Sequence, residues 1–301
     1  MKPIRHVTAL LLAAALAAVG CSTPGETLQA KAGSPESATK PVTSPVTAKG
    51  ESLKRVGEDE LVSHAVPKIT GAVSFGDGET AYRARKYGDA TAIFEHYTGQ
   101  RPKNAWGYYM LGMSAWKAGD LSKAETGFKA ALAIDPDHLK SLVNLSRVQI
   151  ERKRFDAALD TLMQAGDIEP TSNEVARLIG RAFHAQGRID DAVEAYRHAI
   201  ELDEKDVWSM NNLALLFLEQ KRAEEAMPLL LKATELRKDV AAFHNNLGMA
   251  FEHTRRFNDA AAAYNDALSA DPGYEKAKQN LARVEAVKVN AESDDDRAGS
   301  K

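Results

Sequence analysis

One alanine recurs through most of this chain at a fixed stride of 34 residues, without an insertion or a deletion. A stride of this length is typical of arrays whose unit is a pair of antiparallel helices. Such a pair cannot bury its apolar face alone, so neighbouring units must stack. We expect the functional residues on the long surface that the stacked units form. The recurring residues are Ala90, Ala124, Ala158, Ala192, Ala226 and Ala260.

The stride divides residues 61–274 into six units in which other positions repeat in register. From the second unit onward, position 7 is large and apolar and position 8 is small, a combination that lets paired helices approach closely. The first unit has Asp77 at position 7 and is therefore divergent. The units are residues 71–104, 105–138, 139–172, 173–206, 207–240 and 241–274.

Further positions repeat after the alanine: a large residue at position 24, an alanine at position 27 in every unit but the first, which has Tyr97, and a proline at position 32, replaced by Glu204 and Lys238 in two units. In the second unit the complete set is Leu111-Gly112, Gly119, Ala124, Phe128, Ala131 and Pro136. This set resembles the tetratricopeptide repeat, and the resemblance covers about two thirds of the chain. It implies an all-α fold, a right-handed superhelical solenoid of helix-turn-helix units.

The repeat phase continues past the sixth unit for one more helix. Leu281 and Ala282 fall at positions 7 and 8, and Ala277 and Val284 extend an apolar stripe at helical spacing. This pattern predicts a C-terminal capping helix over residues 275–290. The run of aspartates that begins at Asp294 predicts a disordered acidic tail over residues 291–301.

The amino-terminal residues have the pattern of an export signal. Lys2 and Arg5 precede an apolar run over residues 7–19, which is followed by Gly20 and Cys21. The run is shorter than the roughly 20 residues that a membrane-spanning helix needs, so the pattern predicts a signal peptide over residues 1–20. Residues 21–60 are rich in serine, threonine, proline and lysine and are predicted to form a disordered tether.

Cys21 is the one cysteine of the sequence, and its place directly after Ala18, Val19 and Gly20 resembles the bacterial lipoprotein processing box. The resemblance implies that Cys21 is lipidated and becomes the membrane anchor. Ser22 follows it, and a non-acidic residue there implies an outer-membrane protein of the cell envelope that faces the periplasm. The alternative is an ordinary signal peptide cut near Ala18, which would leave a soluble periplasmic protein.

The sequence offers no pattern for catalysis, a metal or a cofactor. The eight histidines lack paired metal-ligand spacing, and the chain contains neither a phosphate-binding glycine loop nor a nucleophile elbow. A net charge of −3 argues against nucleic-acid binding. The signal, tether and repeats leave too few residues for a catalytic domain, so we expect a binding protein and not an enzyme.

The resemblance implies that the first helix of each unit lines a concave groove, and the residues that face away from positions 7 and 8 are those at positions 2, 5, 6, 9, 12 and 13. Asparagines recur at position 6, and their side chains can pair with the backbone of a bound peptide, as in the asparagine ladder of peptide-binding family members. The alternative is that they pair helix ends or face water. The candidates are Asn144, Asn212, Asn246 and, on the capping helix, Asn280.

Basic and aromatic residues occupy other groove positions. The cations predict a patch that favours an acidic segment or a carboxyl terminus, although a solvated, partly salt-bridged face would have the same composition. Large aromatic residues exposed in a groove are good binding anchors. The basic residues are Lys140, Arg147, Arg177 and Arg181, and the aromatic residues are Trp106, Tyr109 and Trp208.

Together these features resemble the tetratricopeptide lipoproteins that assist pilus and secretion machines, such as the Flp or Tad pilus-assembly lipoprotein and the type IV pilus pilotins. The resemblance implies a protein or peptide partner in the groove, with secretin or pilus-assembly subunits as candidates. A second hypothesis is an adaptor that recruits a periplasmic protease or a cell-wall hydrolase. The sequence leaves the oligomeric state open.

Overall fold

The computed structural model describes the backbone of residues 71–298 and the side chains of residues 71–287. This part of the chain consists of helices connected by short turns and contains no strand. The helices are α1 Phe75–Arg83, α2 Tyr87–Gln100, α3 Ala105–Lys117, α4 Leu121–Ile134, α5 Leu139–Glu151, α6 Phe155–Ile168, α7 Asn173–Ala185, α8 Ile189–Leu202, α9 Val207–Glu219, α10 Ala223–Leu236, α11 Ala241–His253, α12 Phe257–Ala270 and α13 Glu275–Ala298.

Each repeat unit contains one helix pair, which we name the A helix and the B helix. From the second unit to the sixth, the A helix covers positions 1–13 and the B helix covers positions 17–30. The alanines that define the stride are all fully buried, at 0% exposure, where the two helices of a unit meet. The described residues therefore form an all-α repeat array, as predicted.

The turn between the A and B helices has the same backbone in all six units. The residue at position 15 has a positive φ, and the amide of position 16 donates to the carbonyl of position 11, which is the Schellman ending of a helix. Glycine adopts this conformation without strain, but only two units have it. The residues at position 15 are Arg85, Gly119, Lys153, Gly187, Lys221 and Arg255.

Position 8 of the A helix packs against position 24 of the B helix, and the two residue types vary together. Where position 24 is aromatic, position 8 is glycine, because a Cβ there would lie 2.5–2.7 Å from the ring. Where position 24 is leucine, position 8 is serine or alanine. The pairs are Gly78–Phe94, Gly112–Phe128, Ser146–Leu162, Gly180–Tyr196, Ala214–Leu230 and Gly248–Tyr264.

The divergent first unit has a short A helix, because α1 begins at position 5. Ser74 caps it, accepting from the Asp77 amide, while the Asp77 carboxylate accepts from the Ser74 amide. This capping box explains why an aspartate stands where the other units have a large apolar residue.

The last helix, α13, packs on the sixth unit as a cap and buries Ala277 and Val284 completely. It extends to Ala298, eight residues beyond the predicted end at residue 290, and this corrects the prediction of a disordered tail from residue 291. No glycine or proline occurs between Gly273 and Gly299, so the helix can continue at a gain of one hydrogen bond per residue.

The signal peptide, Cys21, the tether and the first ten residues of the 61–274 region lie outside the residues that the structure describes. Within residues 71–298, no helix combines the length and the apolar character that crossing a membrane requires.

Candidate functional site

The side chains at positions 2, 5, 6, 9, 12 and 13 of the A helices form one continuous surface, which we name the A surface. Neighbouring units are joined across it by side-chain hydrogen bonds that span 35 residues, one more than the repeat. Position 6 of one A helix therefore meets position 5 of the A helix before it. Trp116 and His184 follow the same rule at position 12, contacting Glu151 and Glu219 at position 13 of the next unit.

The predicted asparagines lie on this surface, but two of them belong to a hydrogen-bonded relay. Asn280 donates to Asn245 at 2.9 Å, Asn245 donates to Asn246 at 3.3 Å, and Asn246 donates to Asn211 at 2.8 Å. Asn211, Asn245 and Asn246 are at most 8% exposed. Asn246 and Asn280 thus join neighbouring A helices, an arrangement that differs both from peptide contact and from the expected alternative of pairing helix ends or facing water.

Asn144 is also buried and engaged. Its amide donates to the Lys140 carbonyl at 2.9 Å and to the Tyr109 hydroxyl at 3.4 Å, and its oxygen accepts from Arg147 at 3.1 Å. Asn212 differs, because it is half-buried and its side chain forms no hydrogen bond with any residue that the structure describes. Contact between Asn212 and a bound peptide therefore stays a prediction. Such contact would not require the Asn212 side chain to break a hydrogen bond.

Two of the four basic residues are neutralised by carboxylates. Arg147 forms an ion pair with Glu174, and Arg177 donates to both carboxylate oxygens of Asp206 at 2.7 Å. Asp206 is buried and also caps α9, accepting from the amide and hydroxyl of Ser209. Arg147 thus binds a residue of the following unit, whereas Arg177 binds Asp206, the last residue of its own unit, which caps the first helix of the next unit.

Within the described residues, Arg181 and Lys140 have no carboxylate partner, and the Lys140 ammonium faces the Trp106 ring. The Arg181 guanidinium forms no hydrogen bond or ion pair inside the described part of the chain, although Arg147 occupies the same position one unit earlier and has two acceptors. The residue keeps solvent access, yet the surrounding walls of the A surface partly desolvate its charge. Desolvation, together with the charges of Arg147 and Arg177, lowers the pKa of Arg181 below the usual arginine range, and Tyr196 and Glu151 act in the opposite direction.

Two of the three predicted aromatic anchors are open to solvent. Trp106 is 47% and Trp208 is 44% exposed, whereas Tyr109 is 9% exposed. Trp208 packs edge-on against Phe243, with ring centroids 5.1 Å apart, so part of the indole is fixed while the rest faces outward. Its indole nitrogen has no hydrogen-bond acceptor among the described residues.

Trp106 belongs to an aromatic cluster that the sequence did not predict. Its ring packs edge-on against His138 at 4.8 Å and Tyr109 at 5.4 Å, and the Lys140 ammonium lies 5.2 Å from its centroid. His138 is buried at the start of α5, where the Ser141 amide donates to its Nδ1, and burial lowers the pKa of its imidazole. On its open side Trp106 borders a cavity of about 360 Å³ with Phe75, Tyr97 and Met110.

Several functional neighbours were missed at the sequence level. Glu174 and Asp206 form ion pairs with Arg147 and Arg177. Asn211 and Asn245 accept hydrogen bonds from the predicted asparagines Asn246 and Asn280. A signal for the asparagines was present, since the dipeptide Asn-Asn occurs at residues 211–212 and again 34 residues later. Over the described residues, no group of three or more histidine, cysteine, aspartate or glutamate side chains is placed to bind a metal ion.

Comparison with known proteins agrees with this geometry. Three family profiles match consecutive parts of the chain: "Tetratricopeptide repeat" over residues 115–182, "TPR repeat" over residues 180–221 and "Tetratricopeptide repeat" over residues 211–275. Together they span about half of the sequence, and the chain belongs to the tetratricopeptide repeat family. Proteins of this family act as scaffolds for protein interactions, and the fold is typically non-catalytic.

Individual relatives share the repeat region. The protein STIP1 homolog of Dictyostelium discoideum is 27% identical over 125 residues, which are 39% of this chain and 22% of the relative. Yeast Tom70 superposes with a TM-score of 0.57 at 20% identity, over 68% of this chain and 44% of Tom70. TTC0263 of Thermus thermophilus gives 0.51 at 19% identity, over 60% of this chain and 98% of TTC0263. The structural likeness confirms the predicted solenoid fold.

Proposed function

We propose that this chain is a non-enzymatic scaffold that holds a segment of a partner protein along the A surface. The observation that carries the proposal is the exposure of Trp106 and Trp208 at equivalent positions of units 2 and 5. Exposed aromatic side chains in a groove supply much of the binding energy of protein interfaces. Half-buried Met113, Leu215 and Met249 extend the apolar surface between and beyond them.

We further propose that the scaffold is held at an envelope membrane through Cys21 and assists assembly of a pilus or a secretion apparatus. The support is the order of the sequence features: an export signal, a cysteine directly after it, a polar tether and then the repeats. Metabolic labelling with a tagged fatty acid tests the anchor. The wild-type chain is expected to incorporate the label, and Cys21→Ala is expected to lose it.

Site-specific photo-crosslinking in living cells tests the groove. A photoreactive residue is placed at Met113 or Leu215 on the A surface, and the matched control carries it at Lys232, which is exposed on the B helix α10. We expect adducts with secretin or pilus-assembly subunits from the first two sites and none from the third. Adducts formed only at Lys232 would contradict binding along the A surface.

The identity of the adducts separates the two envelope hypotheses. Recovery of proteases or cell-wall hydrolases in adducts from Met113 and Leu215 would support the scaffold function. It would favour the adaptor hypothesis over a role in assembly of a pilus or a secretion apparatus. Repeating the crosslinking in the Cys21→Ala background shows whether the partner is reached only from the membrane.

A further inference from the structure

We propose that the turns between the A and B helices form a basic edge of the array that binds the surface of an anionic phospholipid membrane. This edge consists of positions 14–16 of the six units, and we name it the turn edge. The choice of a membrane rests on the proposed function, which holds the chain at one. The contact itself goes beyond that function, because it needs neither the Cys21 anchor nor a partner on the A surface.

The turn edge carries an excess of positive charge that the opposite edge lacks. It contains ten cations and one anion, Asp120. The turns that join one unit to the next, at positions 31–34, contain five cations and eight anions. The excess is therefore local, in a chain whose net charge is −3. The cations of the turn edge are Arg85, Lys86, Arg152, Lys153, Arg154, Arg188, Lys221, Arg222, Arg255 and Arg256.

The turns lie side by side, because the stacking of units aligns the ends of the A helices. Trp116 at position 12 of one unit donates to Glu151 at position 13 of the next. Turns also reach the preceding B helix, since Gln186 donates to Asp156 at 2.6 Å. Stacked repeats present equivalent residues in one row. An extended anionic surface can therefore meet several turns at once.

The backbone at position 15 singles out four of these cations. Its left-handed φ suits glycine, and Gly119 and Gly187 occupy it in units 2 and 4. The other four units have a φ of 58–61° and a lysine or an arginine, although a residue with a Cβ is strained there. Retained backbone strain often marks a functional position. The four residues are Arg85, Lys153, Lys221 and Arg255.

The same four side chains are exposed and form no ion pair or hydrogen bond with any residue that the structure describes. Carboxylates do occur nearby, in the first turns of the B helices. Three of them bind the arginine at position 16 of their own turn, as Arg222 binds Glu225 at 2.6 Å. Asp190 and Glu224 form no ion pair in the described region and reduce the excess in units 4 and 5.

Unit 3 shows that internal pairing does not consume the positive charge. The buried Glu125 carboxylate binds Arg152 at 2.6 Å, Arg154 at 2.9 Å and Lys129 at 2.6 Å. One negative charge is thus shared by three cations, and Lys153 at the apex of the same turn adds a fourth cation. The strongest excess therefore lies where the acidic partners are already bound.

The spacing of the four cations suits a lipid surface. Each lies in a different unit, and both lysine and arginine occur. Lipid headgroups diffuse and can meet cations at any spacing, and each basic side chain near an anionic membrane adds to the affinity as a point charge. A folded acidic partner would need carboxylates fixed at matching intervals.

Sedimentation with lipid vesicles tests the turn edge. The protein is the full-length Cys21→Ala chain, so that no acyl anchor contributes, and the vesicles contain equal parts of phosphatidylglycerol and phosphatidylcholine. We expect binding that decreases as salt is added and that is weak with phosphatidylcholine alone. All variants share residues 1–70, so differences among them arise in the repeats.

Charge removal at position 15 should weaken the vesicle binding about tenfold or more. This variant combines Arg85→Gln, Lys153→Gln, Lys221→Gln and Arg255→Gln. The matched control loses the same charge from exposed lysines away from the turn edge and should bind close to the wild-type chain. It combines Lys103→Gln, Lys205→Gln, Lys232→Gln and Lys238→Gln.

Glycine at the same four positions separates binding from folding. It removes the four charges and relieves the left-handed backbone, so the thermal midpoint should rise while vesicle binding falls. Loss of binding then has no explanation in unfolding. Arg85→Lys combined with Arg255→Lys keeps the point charges and should bind like the wild-type chain.

Equal binding by the wild-type chain and the position 15 glutamine variant, or equal losses in that variant and its control, would overturn the turn edge. Binding to soluble polyglutamate without binding to the vesicles would overturn the membrane assignment in favour of an acidic protein. Vesicle binding without fatty-acid labelling at Cys21 would reject the anchor alone. Labelling and adducts at Met113 and Leu215 without vesicle binding would reject the turn edge alone, so the two failures are distinguishable.

Discussion

The Asn246 side-chain amide donates a 2.8 Å hydrogen bond to the Asn211 oxygen across the boundary between the fifth and sixth units. Both side chains are 8% exposed, so water cannot replace this bond easily. The bond continues through Asn245 to Asn280 on the capping helix. The asparagines at the carboxyl-terminal end of the array therefore hold units together, and the chemistry that suits them to a peptide backbone is satisfied inside the protein.

Asn246→Ala should destabilise the array by about 1–3 kcal/mol, because Asn211 and Asn245 would each lose a buried partner. A lower midpoint in urea unfolding followed by circular dichroism would show this. Asn212→Ala is the matched control, since the Asn212 side chain forms no hydrogen bond in the described region, and the stability of this variant should stay within about 0.5 kcal/mol of wild type. Equal midpoints for the two variants would contradict the relay.

The positions of the helices were predictable from the sequence, but the partners on the A surface were not. The 34-residue stride predicts the A and B helices, because the packing between the two helices of a unit recurs in every unit. Contacts between A helices follow a stride of 35, since position 6 meets position 5 of the unit before it. That offset depends on how the units stack, and it decides whether Asn246 faces a ligand or Asn211.

The charge pairing of the basic patch also depends on how the units stack. Arg147 and Arg181 are equivalent in the sequence, and the residue 27 positions later makes one an ion pair and leaves the other open. Without the stacking geometry, nothing relates Glu174 to Arg147 or Trp208 to Arg181. The composition of the patch predicted an acidic ligand, and within the described residues Arg181 and Lys140 are the two cations of the patch without a carboxylate partner.

The pairing of positions 8 and 24 predicts a substitution that destabilises the protein when it is made alone. Gly180→Ala would place a Cβ 2.7 Å from the Tyr196 ring and should cost about 1–3 kcal/mol, which exceeds the gain in helix propensity. Adding Tyr196→Leu recreates the Ala214–Leu230 combination of the next unit. A double-mutant cycle from urea midpoints should therefore show the two changes to be less harmful together than their sum. Additive effects would mean that the pair does not share one packing contact.

The left-handed turn residues predict a stabilising change. Lys153 has a φ of 58°, which costs a residue with a side chain about 1–2 kcal/mol, so Lys153→Gly should stabilise the array by about 0.5–1 kcal/mol after the entropy of the unfolded glycine is counted. The measurement is the thermal midpoint. Lys153→Ala keeps the Cβ and should bring no gain, which separates backbone strain from loss of charge. Gly187→Ala, at a φ of 75°, should lower the midpoint.

The capping helix predicts a pH-dependent contribution to stability. Arg283 donates to both oxygens of Glu252 at 2.8 Å, and this hydrogen bond, opposed by burial and assisted by Tyr264, lowers the pKa of Glu252. A carboxyl group whose pKa is lowered by folding stabilises the folded state at pH values above its ordinary pKa of about 4.3. That stabilisation decreases as the pH falls toward the lowered value.

Arg283→Gln should therefore reduce the thermal midpoint at neutral pH, and the gap from wild type should be constant down to about pH 5 and close below it. The exposed pair Arg197–Glu194 supplies the control, because Arg197→Gln removes an ion pair with both side chains at least half exposed and should leave no comparable gap. A gap that persists at about pH 3, below the ordinary pKa of the carboxyl group, would show that Arg283 stabilises the cap through its packing and not through the Glu252 carboxylate.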